Sequence, residues 1–143
     1  MSSWKTIVVG VDGSPSSRAA LTWAAAEAAD HGATLVVLTV WERTLLPPMG
    51  SGGVPQSPVA DPAQRAADDL VQVIKAELGD EPPLVVQPRV KEGTAAKVLI
   101  EQSADADLLV VGTRGRGGFK GLLLGSVSQH VAAYAKCPVT VVR

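Results

Sequence analysis

The sequence lacks several features that mark particular classes of protein. It has one cysteine, Cys137, which excludes an intramolecular disulfide and fits a reducing compartment. Aromatic residues make up only 3%, so the core must consist of valine, leucine, isoleucine and alanine. No apolar run approaches the length of about 18 residues that spans a membrane, and the first residues, MSSWK, lack a signal-peptide core. We therefore expect a cytoplasmic protein with no membrane partner.

An excess of charge of one sign is also missing. The 13 lysine and arginine residues nearly balance the 14 aspartate and glutamate residues, and the formal net charge is −1. A domain that depends on general attraction to nucleic acid is usually basic, so we predict no nucleic-acid partner. Hydrophobic residues make up 46% of the 143 residues, which is enough for one core. We therefore predict a single domain over residues 1–143.

Five short apolar segments alternate with segments of helical pattern. TIVVGV and DLLVV are apolar at nearly every position, which is typical of strands buried on both faces of a parallel sheet. The predicted strands are residues 6–11, 35–40, 84–90, 107–111 and 138–142. The alternation predicts an α/β fold, β-α-β-α-β-α-β-α-β, with an open parallel sheet and helices on both faces.

Local signals define the ends of the helices between these strands. Ser14 and Pro15 suit the N-cap and the first position of a helix, and Gly32 suits the position after its end. Asp61 and Pro62 begin the second helix. The predicted helices are residues 15–31, 61–78, 94–104 and 126–135. The second is amphipathic, and its expected apolar face consists of Ala67, Leu70, Val71, Ile74 and Leu78.

Two strands and one long segment have special compositions. Pro88 lies inside the third strand, and because proline has no N–H to donate, we predict this strand at an edge of the sheet. The fifth strand has no helix after it, and an uncovered apolar edge tends to aggregate. We therefore predict a homodimer through residues 138–142. The segment 42–62 is rich in proline and glycine without periodicity, so we expect a mobile loop there.

The stretch GTRGRGGFKGLLLGS, residues 112–126, follows the fourth strand and has the composition of an anion-binding loop. Gly112 and Gly115 allow the backbone to approach a ligand closely. Gly125 precedes a helix whose first N–H groups are free and whose dipole favours negative charge. The hydroxyls of Ser126 and Ser128 could donate hydrogen bonds to phosphate oxygens.

The same stretch carries positive charge but does not match two common phosphate motifs. Arg114, Arg116 and Lys120 could add point charges beside a phosphate. A P-loop is excluded because no lysine of the required frame is followed by serine or threonine. A dinucleotide motif is excluded because Lys120 stands where the third glycine is needed.

The spacing G-2x-G-9x-G-[ST], formed by Gly112, Gly115, Gly125 and Ser126, resembles the nucleotide signature of the universal stress protein family. The blocks IVVGVDGS, DLLVVGTRGRGG, LLLGSVSQHV and CPVTVV resemble that family in the same order. The resemblance implies a strand order 3-2-1-4-5, a dimer through the last strand, and ATP bound between the first and fourth strands. Because every motif glycine is present, the chain resembles the ATP-binding branch of the family.

The resemblance also implies roles for individual residues. It places Asp12 near the base, the sugar or a Mg²⁺ ion, and it places the backbone of Val40 against adenine. Together with the loop residues above, the predicted nucleotide contacts are Gly10, Asp12, Val40, Val111, Gly112, Gly115, Arg116, Gly125, Ser126, Val127 and Ser128. Asp12 has a second interpretation, because aspartate in a D-G-S turn often caps its own backbone.

These features predict an ATP-binding protein that acts as a nucleotide-responsive dimer in stress signalling, with ATP as a bound switch. The sequence shows no general base poised for an attacking water, so at most a weak ATPase activity is expected. Cyclic AMP is an alternative ligand, because the same loop would hold one phosphate as readily as three. A second alternative is a metal-dependent ATPase or phosphotransferase that uses Asp12 with Mg²⁺.

Overall fold

The computed structural model describes residues 4–43, 61–113 and 125–143. The elements are β1 (Thr6–Gly10), α1 (Pro15–His31), β2 (Thr34–Trp41), α2 (Pro62–Leu78), β3 (Val85–Glu92), α3 (Ala95–Ser103), β4 (Leu108–Gly112), α4 (Ser126–Tyr134) and β5 (Val139–Val142). Most of the loop predicted at 42–62 and the predicted contacts Gly115 and Arg116 lie outside the described residues. Within those residues, no helix is long and apolar enough to cross a membrane.

The five strands form one parallel sheet of order β3-β2-β1-β4-β5. This order confirms the predicted α/β fold. β1 lies at the centre of the sheet and pairs with β2 on one side and with β4 on the other. The strand order therefore reverses at β1, because β2 and β3 extend the sheet on one side and β4 and β5 extend it on the other. Such a reversal opens a crevice at the carboxyl ends of β1 and β4, which is where open α/β sheets bind ligands.

Alternate residues of the central strands enter two separate hydrophobic cores. Val9 of β1 faces the core that contains α1 and α2, including Leu70 of α2. Val8 faces the other core, with Leu99 of α3 and Val131 of α4. Because successive side chains of a strand point to opposite faces, a strand covered on both sides must be apolar throughout. The two cores therefore explain why the strand segments show no polar alternation.

The starts of α1 and α2 match their predicted caps. Ser14 Oγ accepts a hydrogen bond from Ser17 N at 3.2 Å, and Pro15 is the first residue of α1. Asp61 Oδ1 accepts one from Ala63 N at 3.1 Å before α2. These side chains satisfy backbone donors that have no partner inside the helix.

The buried face of α2 differs from the predicted one most clearly at Val71. Leu70 is 2% exposed, and Ile74 and Leu78 pack on the same core as expected. Val71, however, is 40% exposed, and Val73 packs on the core in its place. Around the helix axis, Val71 is about 100° from Leu70, whereas Val73 is about 60° away on the other side. The prediction for Val71 is therefore wrong because that residue lies beyond the covered stripe.

β3 and β5 form the two edges of the sheet, and their free sides differ. Gly93 N, just after β3, donates to Trp41 O of β2 at 2.9 Å. Successive strand residues direct their backbone groups to opposite sides, so Pro88, five residues earlier, has its nitrogen on the outer side. The predicted edge position of this strand is confirmed. Proline costs no ladder hydrogen bond there.

The same alternation defines the free side of β5. Pro138 O accepts from Leu109 N at 3.0 Å, and Val142 O accepts from Thr113 N at 3.1 Å. These residues therefore face β4. The backbone N–H and C=O groups of Val139 and Val141 point away from β4, toward the open edge.

The side chain of Asp107 links the start of β1 to the start of β4 through hydrogen bonds. Its Oδ2 accepts hydrogen bonds from Lys5 N at 2.8 Å and from Thr6 N at 2.9 Å. The bonds from Thr6 and Lys5 lower the pKa of Asp107 below its ordinary value of 3.8, against an opposing effect of burial. The ionised carboxylate thus contributes stability above that value, and the contribution is lost as the pH falls through the lower, folded pKa.

We predict that Asp107→Asn lowers the free energy of unfolding at pH 7, because the replacement amide is a neutral acceptor. The difference from the wild type should shrink as the pH falls below 3.8. Urea unfolding at a series of pH values measures this effect. Asp105→Asn is the control, since the Asp105 carboxylate makes no hydrogen bond within the described ranges. A difference that stays constant from pH 7 to pH 3 would contradict the prediction.

Candidate functional site

A cavity of about 90 Å³ lies at the carboxyl ends of β1, β2 and β4. Its walls are mostly apolar, with Val11, Leu38 and Leu99 among them. The structure brings most of the described predicted contacts together around it. The predicted contacts that line the cavity are Gly10, Asp12, Val40, Val111, Gly112, Val127 and Ser128.

Two larger grooves join this cavity. The α2 groove, about 600 Å³, runs between α2 and the ends of β1 and β2 and shares Val11, Asp12 and Val40 with the cavity. The α3–α4 groove, about 700 Å³, runs between the starts of α3 and α4 and shares Ala95 with it. Val127 lines all three spaces. A ligand at the cavity can therefore extend in either direction.

Gly112 is required by a close contact that the sequence did not reveal. A β-carbon at this position would lie 2.6 Å from the carbonyl carbon and 2.7 Å from the carbonyl oxygen of Ser16 in α1. The end of β4 therefore approaches the start of α1 backbone to backbone. Ser16 Oγ and Thr113 Oγ1, 3.2 Å apart, share a hydrogen bond beside the same contact. The first motif glycine thus packs a helix onto the sheet, in addition to lining the cavity.

The turn between β1 and α1 is stabilised by hydrogen bonds from polar side chains of the turn and of the start of α1. Asp12 Oδ1 accepts a hydrogen bond from Ser14 N at 2.9 Å. Asp12 N donates to Ser17 Oγ at 3.2 Å, and Ser17 Oγ donates to Ser14 O at 3.0 Å. The Asp12 carboxylate therefore caps its own turn, which is the second of the two interpretations given above, and it also lines the cavity.

The start of α4 is held against β4 and has no side-chain cap. Gly125, its N-cap residue, donates from N to Thr113 O at 2.5 Å. Gln129 N donates to Gly125 O at 3.0 Å, which is the first helical hydrogen bond. Glycine offers no side chain to the earlier donors, in contrast to Ser14 at α1. No side chain among residues 4–43, 61–113 and 125–143 caps the first N–H groups of α4, and they are thus available to a ligand.

Ser128 uses its hydroxyl differently from the expectation. Its Oγ donates to Gly112 O at 2.5 Å, with Thr113 O at 3.2 Å, and the residue is only 3% exposed. A hydroxyl has one proton, so in this arrangement none is left for a phosphate. Ser128 instead fastens the first turn of α4 to the end of β4. Ser126, two residues earlier, lines the α3–α4 groove.

The metal prediction depends on Asp12 alone within the described ranges. No group of three histidine, cysteine, aspartate or glutamate residues suited to a metal occurs there. One carboxylate fits the way proteins hold Mg²⁺ with a nucleotide, because the ion keeps several waters and takes its remaining ligands from phosphates. Asp12 could thus hold Mg²⁺ only if a phosphate of a bound nucleotide reaches the cavity.

Comparison with known proteins identifies the family of the chain. A model of the universal stress protein family matches residues 3–143. The chain belongs to the universal stress protein family. This match confirms the family predicted from the glycine spacing and the four sequence blocks, whereas membership of its ATP-binding branch stays a prediction.

Two curated relatives within the universal stress protein family are longer than this chain. A universal stress protein of Mycolicibacterium smegmatis is 40% identical over 138 residues, covering 96% of this chain and 45% of the relative. One of Mycobacterium tuberculosis is 36% identical over 140 residues, with the same two shares. The chain thus spans less than half the length of these curated relatives.

Solved universal stress proteins share the fold over nearly the whole chain. UspA of Lactobacillus plantarum has a TM-score of 0.75 at 24% identity, with 100% of both chains covered. A universal stress protein in complex with cAMP has a TM-score of 0.68 at 30% identity, covering 99% of this chain and 98% of that one. The protein from Archaeoglobus fulgidus in complex with dAMP has a TM-score of 0.63 at 21% identity, covering 97% and 98%.

Proposed function

We propose that this protein binds ATP at the carboxyl ends of β1 and β4 and acts as a nucleotide-responsive dimer. The observation that carries the proposal is the junction of an apolar cavity with the uncapped start of α4. A purine needs apolar walls with a few polar groups, and a phosphate needs free N–H donors. Both occur here side by side.

The base is assigned to the cavity. Val11, Val40 and Leu99 supply apolar walls, and Asp12 supplies an acceptor for the amino or hydroxyl groups of adenosine. Sites for small organic ligands usually enclose about 300–1,000 Å³, which is more than the cavity of about 90 Å³ offers. The rest of the nucleotide must therefore extend along a groove.

The phosphates are assigned to α4 rather than to α1. Both helices begin at the carboxyl edge of the sheet, and both dipoles favour an anion there. The start of α1 is capped by Ser14, whereas the start of α4 has glycine at the capping position. Ser126 and Val127 in the first turn of α4 line the α3–α4 groove, so this direction suits the phosphate chain.

The cAMP complex of a relative with 30% identity favours cyclic AMP as a second candidate ligand. A single phosphate would use the same N–H groups of α4 as the first phosphate of ATP. The two candidates thus share the base site and differ in how far the ligand extends beyond Ser126. Measured affinities decide between them.

Hydrolysis is proposed to be slow or absent. Asp12 is the one titratable side chain that lines the cavity in the described part of the chain, and its Oδ1 is used in the turn before α1. A general base must reach the water that attacks the terminal phosphate, and Asp12 lies with the assigned base rather than with the phosphates. Glu42, Glu101 and His130 line the α3–α4 groove that takes the phosphates, so their replacement tests whether any of them serves as such a base. We therefore propose that bound ATP acts as a switch, not as a substrate that turns over.

The dimer is proposed to form through the free edge of β5. Val139 and Val141 direct backbone groups outward, and all four residues of the strand are only half-buried. The other edge, β3, has Pro88 on its outer side, which removes a donor from that edge. Antiparallel pairing of β5 with its copy would satisfy the outward groups around a two-fold axis.

We predict that ATP with Mg²⁺ raises the unfolding temperature by several degrees. A ligand at one hundred times its Kd adds about 2.7 kcal/mol to the free energy of unfolding, and about 1 kcal/mol corresponds to roughly 2–8 °C for domains of this size. Thermal unfolding with ATP, ADP, AMP, cyclic AMP and GTP, each with and without Mg²⁺, measures the preference. No shift with any nucleotide would refute the proposed site, and a largest shift with cyclic AMP would favour the second candidate.

Gly125→Val tests whether the nucleotide binds at the start of α4. The backbone of Gly125 has φ −74° and ψ 170°, an extended conformation that valine adopts readily, so the fold should be retained. The β-branched side chain would stand before the first N–H groups of α4 and block a phosphate. We expect the affinity for ATP to fall at least about tenfold, or 1.4 kcal/mol.

A further inference from the structure

The α3–α4 groove continues from the proposed phosphate site and has a basic side chain on each wall. Lys97 belongs to the first turn of α3, and His130 belongs to α4. Ser126 and Val127, at the start of α4, form the end of the groove nearest the cavity. The groove, at about 700 Å³, is much larger than the cavity. A nucleotide with its first phosphate at α4 would place any further phosphates in this space.

The ammonium group of Lys97 has no partner within the described ranges. It makes no hydrogen bond or ion pair there, although Glu101 follows one helical turn later. Lys97 is exposed, so its position is not needed to fill a core. An unpaired cation at the wall of a groove is suited to a charge-assisted hydrogen bond with an anionic ligand.

His130 lies opposite and is less free to move. Its ring packs on that of Tyr134, with centroids 5.3 Å apart and an interplanar angle of 43°. An imidazole can donate a hydrogen bond to phosphate in either protonation state. Lys97 and His130 thus approach one volume from two different helices.

Two carboxylates line the same groove, and they affect whether it suits a free nucleotide or its magnesium complex. Glu42 follows the end of β2, and Glu101 lies on α3. A bare polyphosphate would be repelled by both groups. A polyphosphate that carries Mg²⁺ is less negative, and carboxylates can accept hydrogen bonds from the waters that Mg²⁺ keeps. The mixture of charges therefore fits the magnesium complex better than the free nucleotide.

From these observations we infer that Lys97 is a specificity-determining residue that recognises the outer phosphates of a nucleoside triphosphate. This inference rests on the proposed function. Cyclic AMP has one phosphate, which is closed onto its own ribose and ends at the first turn of α4. ATP has two more phosphates, which extend to Lys97. The side chain thus separates ATP from cyclic AMP at a site that holds adenosine equally well for both.

The test compares Lys97→Met with the wild type by isothermal titration calorimetry, using ATP, ADP, AMP and cyclic AMP with Mg²⁺. Methionine keeps the unbranched side chain and removes the charge. We expect the affinity for ATP to fall about tenfold, or 1.4 kcal/mol, while the affinities for AMP and cyclic AMP change less than about twofold. Lys97→Arg keeps the charge and should retain most of the preference for ATP.

Lys75→Met is the matched control, because Lys75 is an exposed helical lysine that lines neither the cavity nor the two grooves. It should leave all four affinities unchanged. The inference is overturned if Lys97→Met weakens ATP and cyclic AMP equally, or if it leaves ATP binding intact. A wild type that binds AMP or cyclic AMP as tightly as ATP overturns the inference alone. A wild type that binds no nucleotide overturns the proposed function as well.

Discussion

Replacement of Gly112 by alanine is expected to destabilise the fold by about 1–3 kcal/mol, the usual effect of forcing extra volume into a packed site. The new β-carbon would lie 2.6 Å and 2.7 Å from backbone atoms of Ser16. A change of rotamer cannot relieve a contact with backbone, so the start of α1 must move. Because α1 begins beside the cavity, the stabilisation by ATP should decrease as well. Urea unfolding followed by tryptophan fluorescence, with and without ATP, measures both effects.

Gly10→Ala is the matched control, because Gly10 occupies the equivalent place at the end of β1 and also lines the cavity. Its β-carbon would lie 3.0 Å from Leu99 Cδ2, the far end of a side chain that can shift. The φ angles of Gly10 and Gly112 are not positive, so alanine is not excluded by backbone conformation at either place. We expect Gly10→Ala to stay within about 1 kcal/mol of the wild type. Equal losses in the two variants would contradict the proposed role of the Ser16 contact.

Replacement of Val141 by proline is expected to convert the proposed dimer to a monomer. The N–H of Val141 points to the open edge of β5, so proline removes a donor from the interface and leaves the hydrogen bonds to β4 intact. A two-fold interface would lose this donor twice. We expect dimer affinity to fall at least about a hundredfold, or 2.8 kcal/mol. Sedimentation velocity over a range of protein concentrations measures the change.

Thr140→Pro is the comparison variant, because it places proline on the side of β5 that faces β4 and not on the open edge. The backbone of Thr140 faces β4, so proline there breaks a hydrogen bond inside one chain. We expect this variant to lose stability, whereas Val141→Pro should keep the monomer fold. If Val141→Pro remains a dimer with an unchanged sedimentation coefficient, the proposed pairing through β5 is incorrect.

The fold was predictable because its strands and caps depend on local chemistry. A segment such as TIVVGV is typical of a strand buried on both faces of a parallel sheet, and Ser14-Pro15 and Asp61-Pro62 are strong signals for the start of a helix. The edge position of β3 followed from Pro88 alone. The face of α2 was predicted less well, because periodicity gives the spacing of apolar residues but not the limits of the stripe. Val71 and Val73 can be distinguished only once the sheet is in place.

Seven of the predicted contacts line one cavity, but the contacts among them could not be predicted from the sequence. The glycine spacing indicates where a backbone must come close, and the cavity lies beside Gly112 and Val127. The spacing does not say what approaches Gly112, and the structure shows that Ser16 of α1 does so. Nor does it indicate that Ser128 donates to Gly112 O, since these residues meet only after α4 folds back onto β4. Lys97 belongs to no sequence motif. Its place in the α3–α4 groove could not be predicted, because it depends on the starts of α3 and α4 lying next to each other.

Pro88 also limits how large an assembly this sheet can build. An edge that lacks an N–H near its centre is a poor template for another strand, so copies of the chain would add only through β5. A pair joined through β5 ends in a proline-bearing strand on each outer side, and its growth stops at two copies. Apolar sheets with open edges are at risk of forming fibres, and Pro88 would protect the outer edges of such a pair against the addition of further strands.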